Sequence, residues 1–181
     1  MVVLPCVSRS DCASPGTWAG TGFAQGRIIT VTEEQFAGAV PLADRFDSKA
    51  GAPPVSKAYS VDPTSGVETL VGFAFLASDF PPEVEGYSAP IRVLVGMDLE
   101  GTLAGIEVLD YRESLRRSRG DFLGRRSFQS QFQGKYVGDP FRVRRDIEGV
   151  SGATITSGAM SLGIRNAARR VASAYLRGSD R

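Results

Sequence analysis

The 181-residue chain is 42% hydrophobic and 23% charged, with a formal net charge of +1; it is long enough for one core and has no global pull towards nucleic acid or membrane. It contains no histidine, and its two cysteines are Cys6 and Cys12. Histidine-based nucleophile systems, His-ligated haem and four-cysteine metal or iron–sulfur sites are thereby excluded within the chain, so redox or group-transfer chemistry would need a bound organic cofactor.

Residues 1–28 are rich in Gly, Ser and Pro without periodicity and read as a mobile arm. The opening MVVLPCVSRSDCASPG has a short apolar run broken by Pro5, without the apolar core of a signal peptide. No apolar run reaches the ~18 residues of a membrane span. Thr32 with Glu34 and Gln35 marks a helix start, and Phe36, Val40 and Leu42 follow at roughly helical spacing. Residues 48–56, SKAGAPPVS, have linker composition. AYSVDPTSGVETLVGFAFLAS reads as a hairpin turning at Asp62–Gly66. FPPEVEGYSAP is a Pro-rich loop. In IRVLVGMDLEGTLAGIEVLDY, Ile91, Val93 and Val95 alternate with Arg92, Leu94 and Gly96. A turn at Asp98–Gly101 then returns the chain through Ile106, Val108 and Tyr111, the clearest hairpin in the sequence.

From Arg112 to Arg126 the chain turns basic and reads as a solvated loop and helix face; the near-neutral total and the lack of a binding motif argue against nucleic acid. Phe128 and Phe132 predict a short helix docking two rings. Ile164, Ala168, Val171 and Tyr175 form the apolar stripe of a C-terminal helix of roughly 18 to 20 residues, with Gly178 suited to its C-cap. These elements predict an α+β fold: an antiparallel β-sheet with hairpins, packed against a long C-terminal helix and shorter helices.

Just before that helix stands EGVSGATITSGA, Glu148 to Ala159, with hydroxyls at Ser151, Thr154, Thr156 and Ser157. A phosphate loop would need a lysine after the glycines, and a dinucleotide fingerprint would need G-x-G-x-x-G. A nucleophile elbow would need a second glycine where Ala153 stands, and a base. Two readings remain open. One is plain capping by Ser151, Thr154 or Ser157, which uses one hydroxyl. The other is a phosphate seat on the free N–H groups of the helix, with Gly152 and Ala153 allowing close approach.

The run Ser151-Gly152-Ala153-Thr154-Ile155-Thr156-Ser157 resembles the flavinylation motif of the FMN-binding domain family. That family includes the RnfG and NqrC subunits of sodium- or proton-linked electron-transport complexes and the N-terminal domain of NosR/NirI proteins of denitrification. The resemblance extends to GYSAPIRVLVGMDLEGTLAGIEVLDYRES and FQGKYVGDPF, covering about residues 35–176. FAGAVPLADRFDSKAGAPPVSKAY and VGFAFLASDF look like the NosR/NirI branch in particular.

The resemblance implies an FMN-binding domain over residues 29–178, with FMN joined to Thr154 through a phosphoester installed by a flavin transferase. By the same resemblance Gly149, Ser151, Gly152 and Ala153 line the phosphate end, and Thr156 and Ser157 bond the phosphate or cap the helix. Glu148, where the family usually has Asp, presents Thr154 for attachment. Glu113 and Tyr87 are weaker candidates for the ring pocket. The corresponding stretch Asp110–Ser114 lacks the His and Pro common in the family.

The expected function is that of an electron-transfer domain of a NosR/NirI-like protein supporting nitrous oxide reduction. It would face the extracytoplasmic side, with membrane electron-transport proteins or a reductase as partners and no nucleic acid. The alternatives are an RnfG/NqrC-type subunit and a flavin-free interaction module of the same fold. The NosR/NirI branch continues into transmembrane helices and Cys-rich motifs, whereas the sequence stops at Arg181. The expectation is therefore an excised domain, a fragment or a stand-alone relative.

Overall fold

The structure, a computed structural model, describes residues 30–81, 86, 90–112, 114, 116 and 120–176. The N-terminal arm, most of the Pro-rich loop with Tyr87, and the residues Glu113 and Gly178 lie outside the described residues. Helix α1 spans Glu33–Ala39. Thr32 caps it as the sequence predicts: its hydroxyl accepts from Gln35 N–H, and Gln35 Oε1 accepts from Thr32 N–H. Phe36 and Val40 are buried, but Leu42 is 77% exposed, because the helix has already ended before the residue can reach the core.

Five strands follow: β1 Arg45–Phe46, β2 Ser56–Val61, β3 Glu68–Leu76, β4 Arg92–Asp98 and β5 Leu103–Asp110. They form one antiparallel meander in the order β1-β2-β3-β4-β5. Both predicted hairpins are present. In the β2–β3 turn, Asp62 Oδ1 accepts from Thr64 and Ser65 N–H, and Gly66 takes φ 68°. Those two backbone donors hold the Asp62 carboxyl below its ordinary pKa. In the β4–β5 turn, Asp98 Oδ1 accepts from Glu100 and Thr102 N–H.

One reading is corrected. Residues 48–56 are an ordered turn: Ala50 and Val55 exchange both backbone hydrogen bonds, Lys49 pairs with Asp79, and the Tyr175 hydroxyl donates to Pro53 C=O at 2.6 Å. Pro and Gly here shape a turn rather than mark a linker. In β4, Leu94 is as buried as Val93 and Val95. The sheet is covered on both sides, so both sets of side chains leave water.

On one side α1 packs with Ala58, Ala74, Leu76 and Leu94. On the other, Phe73, Phe75, Val93, Val95 and Met97 meet Phe128, Phe132 and the last helix. Helix α2, Arg126–Gln129, continues into a single 3-10 turn over Ser130–Phe132, and the predicted ring pair Phe128–Phe132 sits edge to face at 5.9 Å. Helix α3 spans Thr154–Tyr175, longer than expected. Ile164, Ala168 and Val171 of its predicted stripe are fully buried, with Tyr175 at the margin against Phe73. This α+β arrangement brings the hydroxyl cluster to the head of α3. No helix among the described residues is long and apolar enough to cross a membrane.

Candidate flavin site at the head of the last helix

The chain reaches α3 through a tight turn. Ala153 N–H donates to Val150 C=O at 2.9 Å, and Gly152, third in the turn, has φ 80°. Glycine accepts that conformation without the steric cost of a side chain. The helix starts on the next residue. Its N-cap is Ala153, and among the described residues no side chain caps this end.

The capping reading of the hydroxyl cluster therefore does not hold. Thr154 is one residue too far on, at the first helical position, and exposed. Ser157 is buried, and its Oγ accepts from Val150 N–H at 3.4 Å, tying the turn to the helix. The first helical hydrogen bond inside the helix is Ser157 N–H to Ala153 C=O. The N–H groups of Thr154, Ile155 and Thr156 thus have no acceptor among the described residues, at the positive end of a 22-residue helix.

The predicted residues divide into two groups. Ser151, Gly152 and Thr154 are exposed around buried Ala153 and form one solvent-facing knuckle. Thr156 and Ser157 lie inside, 2% and 0% exposed. Ser161 Oγ donates to Ser157 C=O at 2.8 Å, adding a third buried hydroxyl beneath the knuckle. Glu148 has an exposed side chain on a fixed backbone. Gln131 accepts from Glu148 N–H at 2.6 Å and donates to Glu148 C=O at 3.5 Å. Gly149 is required by packing, since a Cβ there would lie 2.6 Å from Val143 Cγ1.

Val143 belongs to a neighbouring loop that supports the site. The Asp146 carboxylate accepts from Phe141 N–H (2.9 Å), Arg142 N–H (2.6 Å) and Lys135 Nζ (3.3 Å). Phe141 and Arg144 take φ 49° and 68°, unusual for side-chain-bearing residues. From α3, Arg169 donates to the carbonyls of Val137, Gly138 and Asp139, and Arg165 to that of Pro140. These guanidiniums fasten the loop to the helix that carries Thr154.

Burial pushes the Asp146 carboxyl up, but the Arg142 N–H, Lys135 and the Phe141 N–H together bring it below its ordinary value. A depressed folded-state pKa contributes stability that is full above the unfolded carboxylate value and is lost as pH falls through the folded one. Asp146→Asn should therefore cost about 1–3 kcal/mol near neutral pH. The gap from wild type should shrink below about pH 3, as measured by denaturant midpoints at the two pH values. An equal gap at both would contradict the assignment.

A shallow groove, open to solvent, lies between the 3-10 turn at Ala77–Asp79, the start of β4 and α3. It is lined by Ala77, Ser78, Ile91, Val93, Met160 and Gly163. Met160 and Gly163 lie roughly 9 and 14 Å along α3 from Thr154, at 1.5 Å per residue. Ile155, beside Thr154, is 66% exposed.

Near the segment containing Glu113, Tyr111 is buried and donates to Asp121 Oδ1 at 2.7 Å. Burial, reinforced by that hydrogen bond, pushes its hydroxyl up to about 12, so it stays protonated at neutral pH. Sequence reasoning missed Gln131, Asp146, Arg165 and Arg169. The i, i+4 spacing of Arg165 and Arg169 off the apolar stripe was the one available signal.

Residues 86–169 match the family model of the FMN-binding domain. Three curated proteins similar to this chain are each the G subunit of an ion-translocating oxidoreductase complex. The one from Vibrio vulnificus (strain YJ016) is 30% identical over 129 residues, covering 66% of this chain and 57% of that protein. The one from Vibrio atlanticus (strain LGP32) is 33% identical over 96 residues, covering 48% and 45%. The one from Cereibacter sphaeroides (strain ATCC 17029 / ATH 2.4.9) is 31% identical over 116 residues, covering 52% and 53%. The chain spans about half the length of the curated relatives it matches.

The head of α3 fits a flavin nucleotide. Three N–H donors without an acceptor and the helix dipole suit a phosphate, while exposed Ile155 and the groove offer apolar surface to a planar ring. This site lies within residues 86–169, the segment that matches the FMN-binding domain family, and FMN is the cofactor which that match assigns to it.

Proposed function

We propose that FMN is joined to this chain by a phosphoester at Thr154 Oγ. A flavin transferase moves the FMN phosphoryl group from a flavin dinucleotide: the P–O–P bond breaks, a nucleoside monophosphate leaves and the hydroxyl proton is lost. The domain then passes electrons within a membrane-associated ion-translocating complex, on its extracytoplasmic side, in the role of an RnfG-type protein. The observation that carries this reading is the uncapped helix head with Thr154 exposed at its first position. The matched relatives belong to ion-translocating complexes, which favours this reading over a NosR/NirI-like role in denitrification.

When bound, the flavin accepts and donates electrons. The chain's own residues position it. The N–H groups of Thr154, Ile155 and Thr156 bind phosphate oxygens, helped by the helix dipole. Gly152 keeps the turn free of a Cβ where the phosphate approaches. Ser151 serves the phosphate end, whereas Thr156 and Ser157 act from below by holding the knuckle rigid. Glu148, held by Gln131, presents its carboxylate to the transferase beside the turn. Ile155 and the groove would offer apolar surface to the ring. Covalent attachment keeps the cofactor from dissociating between electron transfers.

The test is co-expression with a flavin transferase, followed by denaturing gel electrophoresis. A flavin-fluorescent band at the chain's position is the expected result. A dark band, with all flavin released on denaturation, rules out covalent attachment.

A further inference from the structure

Charge is divided unevenly along this chain. Residues 30–110 contain 4 Lys and Arg against 13 Asp and Glu, a net of −9; residues 111–176 contain 13 against 5, a net of +8. The fold partly separates the two halves in space. Helix α1, with Glu33 and Glu34 in its first turn, covers one face of the sheet, and α3 covers the other. A near-neutral total thus hides a molecule with an acidic and a basic half, and Thr154 lies in the basic half.

Within that half, Arg142, Arg144 and Arg145 stand out. All three are exposed, and among the described residues no ion pair or hydrogen bond engages their guanidiniums. Elsewhere Arg45 and Lys49 are held by carboxylates, and Lys135 is held by Asp146. The backbone presenting the three arginines is fixed. Asp146 accepts from two of its N–H groups, Arg144 N–H donates to Ile147 C=O, and Arg142 C=O accepts from the N–H groups of Arg145, Asp146 and Ile147. Arg144 keeps a left-handed conformation that glycine would adopt more easily. The loop also abuts the turn before Thr154, since Val143 bridges to Ile147 and packs on Gly149.

We infer that the loop Arg142–Arg145 is a docking platform for an acidic protein surface, which it brings against the flavin-bearing knuckle for electron exchange. The inference rests on the proposed flavin at Thr154 for its purpose, but not for the docking itself. A loop with a fixed backbone presents three guanidiniums together, each able to engage a carboxylate through a pair of hydrogen bonds. Arginine is also enriched at protein interfaces, whereas a compact ammonium is equally suited to a diffuse lipid charge. The bipolar charge distribution would orient the domain during encounter, with its basic half leading.

The experiment titrates the unmodified 181-residue chain, observed by amide chemical shifts. The probes are cytochrome b5 as an acidic haem protein, cytochrome c as a basic one, and phosphatidylglycerol vesicles as an anionic surface. The amides of residues 142–145 should shift with cytochrome b5, and the affinity should fall at least tenfold as salt rises from about 0.02 to about 0.3 M. Arg142→Ser, Arg144→Asn and Arg145→Ser combined should weaken binding at least tenfold, with the melting temperature checked in parallel. If that variant fails to fold, the wild-type shift map and salt dependence decide the question.

The inference is overturned if cytochrome b5 leaves these amides unmoved, or if cytochrome c binds as well. It is also overturned if the folded variant binds within twofold of wild type, or if the arginines serve only the vesicles. Because no flavin is needed, failure here is separate from failure to flavinylate Thr154.

Discussion

Gly96→Ala should lower the stability of the domain by about 3 kcal/mol, the upper part of the range for overpacked cores. Gly96 lies in β4, at the point where the C-terminal end of α1 crosses the sheet. A Cβ there would stand 2.0 Å from Ala39 C=O oxygen and 2.6 Å from Val40 Cγ2. The first of these is backbone at a helix end, which cannot rotate away. Gly105 on β5 receives the same helix end, with Gly38 C=O oxygen 2.7 Å from its hypothetical Cβ. Paired opposite each other in the sheet, the two glycines form the flat seat on which α1 rests. For a domain of this size the melting temperature should fall by roughly 10 °C. A fall of less than about 2 °C would mean that α1 does not lie where described. At Gly158, on α3, a Cβ meets nothing within 4 Å. The same substitution there should have the opposite sign and stabilise the flavin-free protein by about 0.5–1 kcal/mol.

Thr154→Ala should remove all covalent flavin while leaving the fold in place. Thr154 is exposed, does not cap α3, and has no side-chain hydrogen bond among the described residues. Alanine is also the better helix former, so stability should change by less than about 0.5 kcal/mol. Ser157→Ala would behave differently. It removes the acceptor of Val150 N–H in a buried setting, with an expected cost of about 1–3 kcal/mol. A loss of flavin in that variant would reflect a loosened knuckle, not a lost attachment atom.

Much of the fold was legible because local signals agreed with one another. The Thr32–Gln35 capping box, the turns at Asp62 and Asp98 and the Phe128–Phe132 pair each depend on short-range chemistry, and each is present. What was not legible depended on tertiary context. Burial of Leu94 follows from α1 crossing the opposite face, which alternation within β4 does not encode. The ordered turn at 48–56 is held by Asp79 and Tyr175, distant in sequence.

At the site, the motif located the knuckle but not its inner division of labour. Nothing in S-G-A-T-I-T-S says that Ser157 turns inward to Val150 while Thr154 faces water. That follows from where α3 meets the core through Thr156, Ser157 and Met160. The supports from Gln131, Asp146, Arg165 and Arg169 bond mainly to backbone, so beyond the i, i+4 spacing of the two arginines no side-chain pattern announced them.

Attachment at Thr154 is decided by the intact mass of the wild-type chain and of Thr154→Ala, each co-expressed with a flavin transferase. The expected result is a gain of about 440 Da on the wild type, the size of an esterified FMN, and none on the variant. Wild-type protein at its unmodified mass, or an equal gain on Thr154→Ala, would contradict attachment at the head of α3.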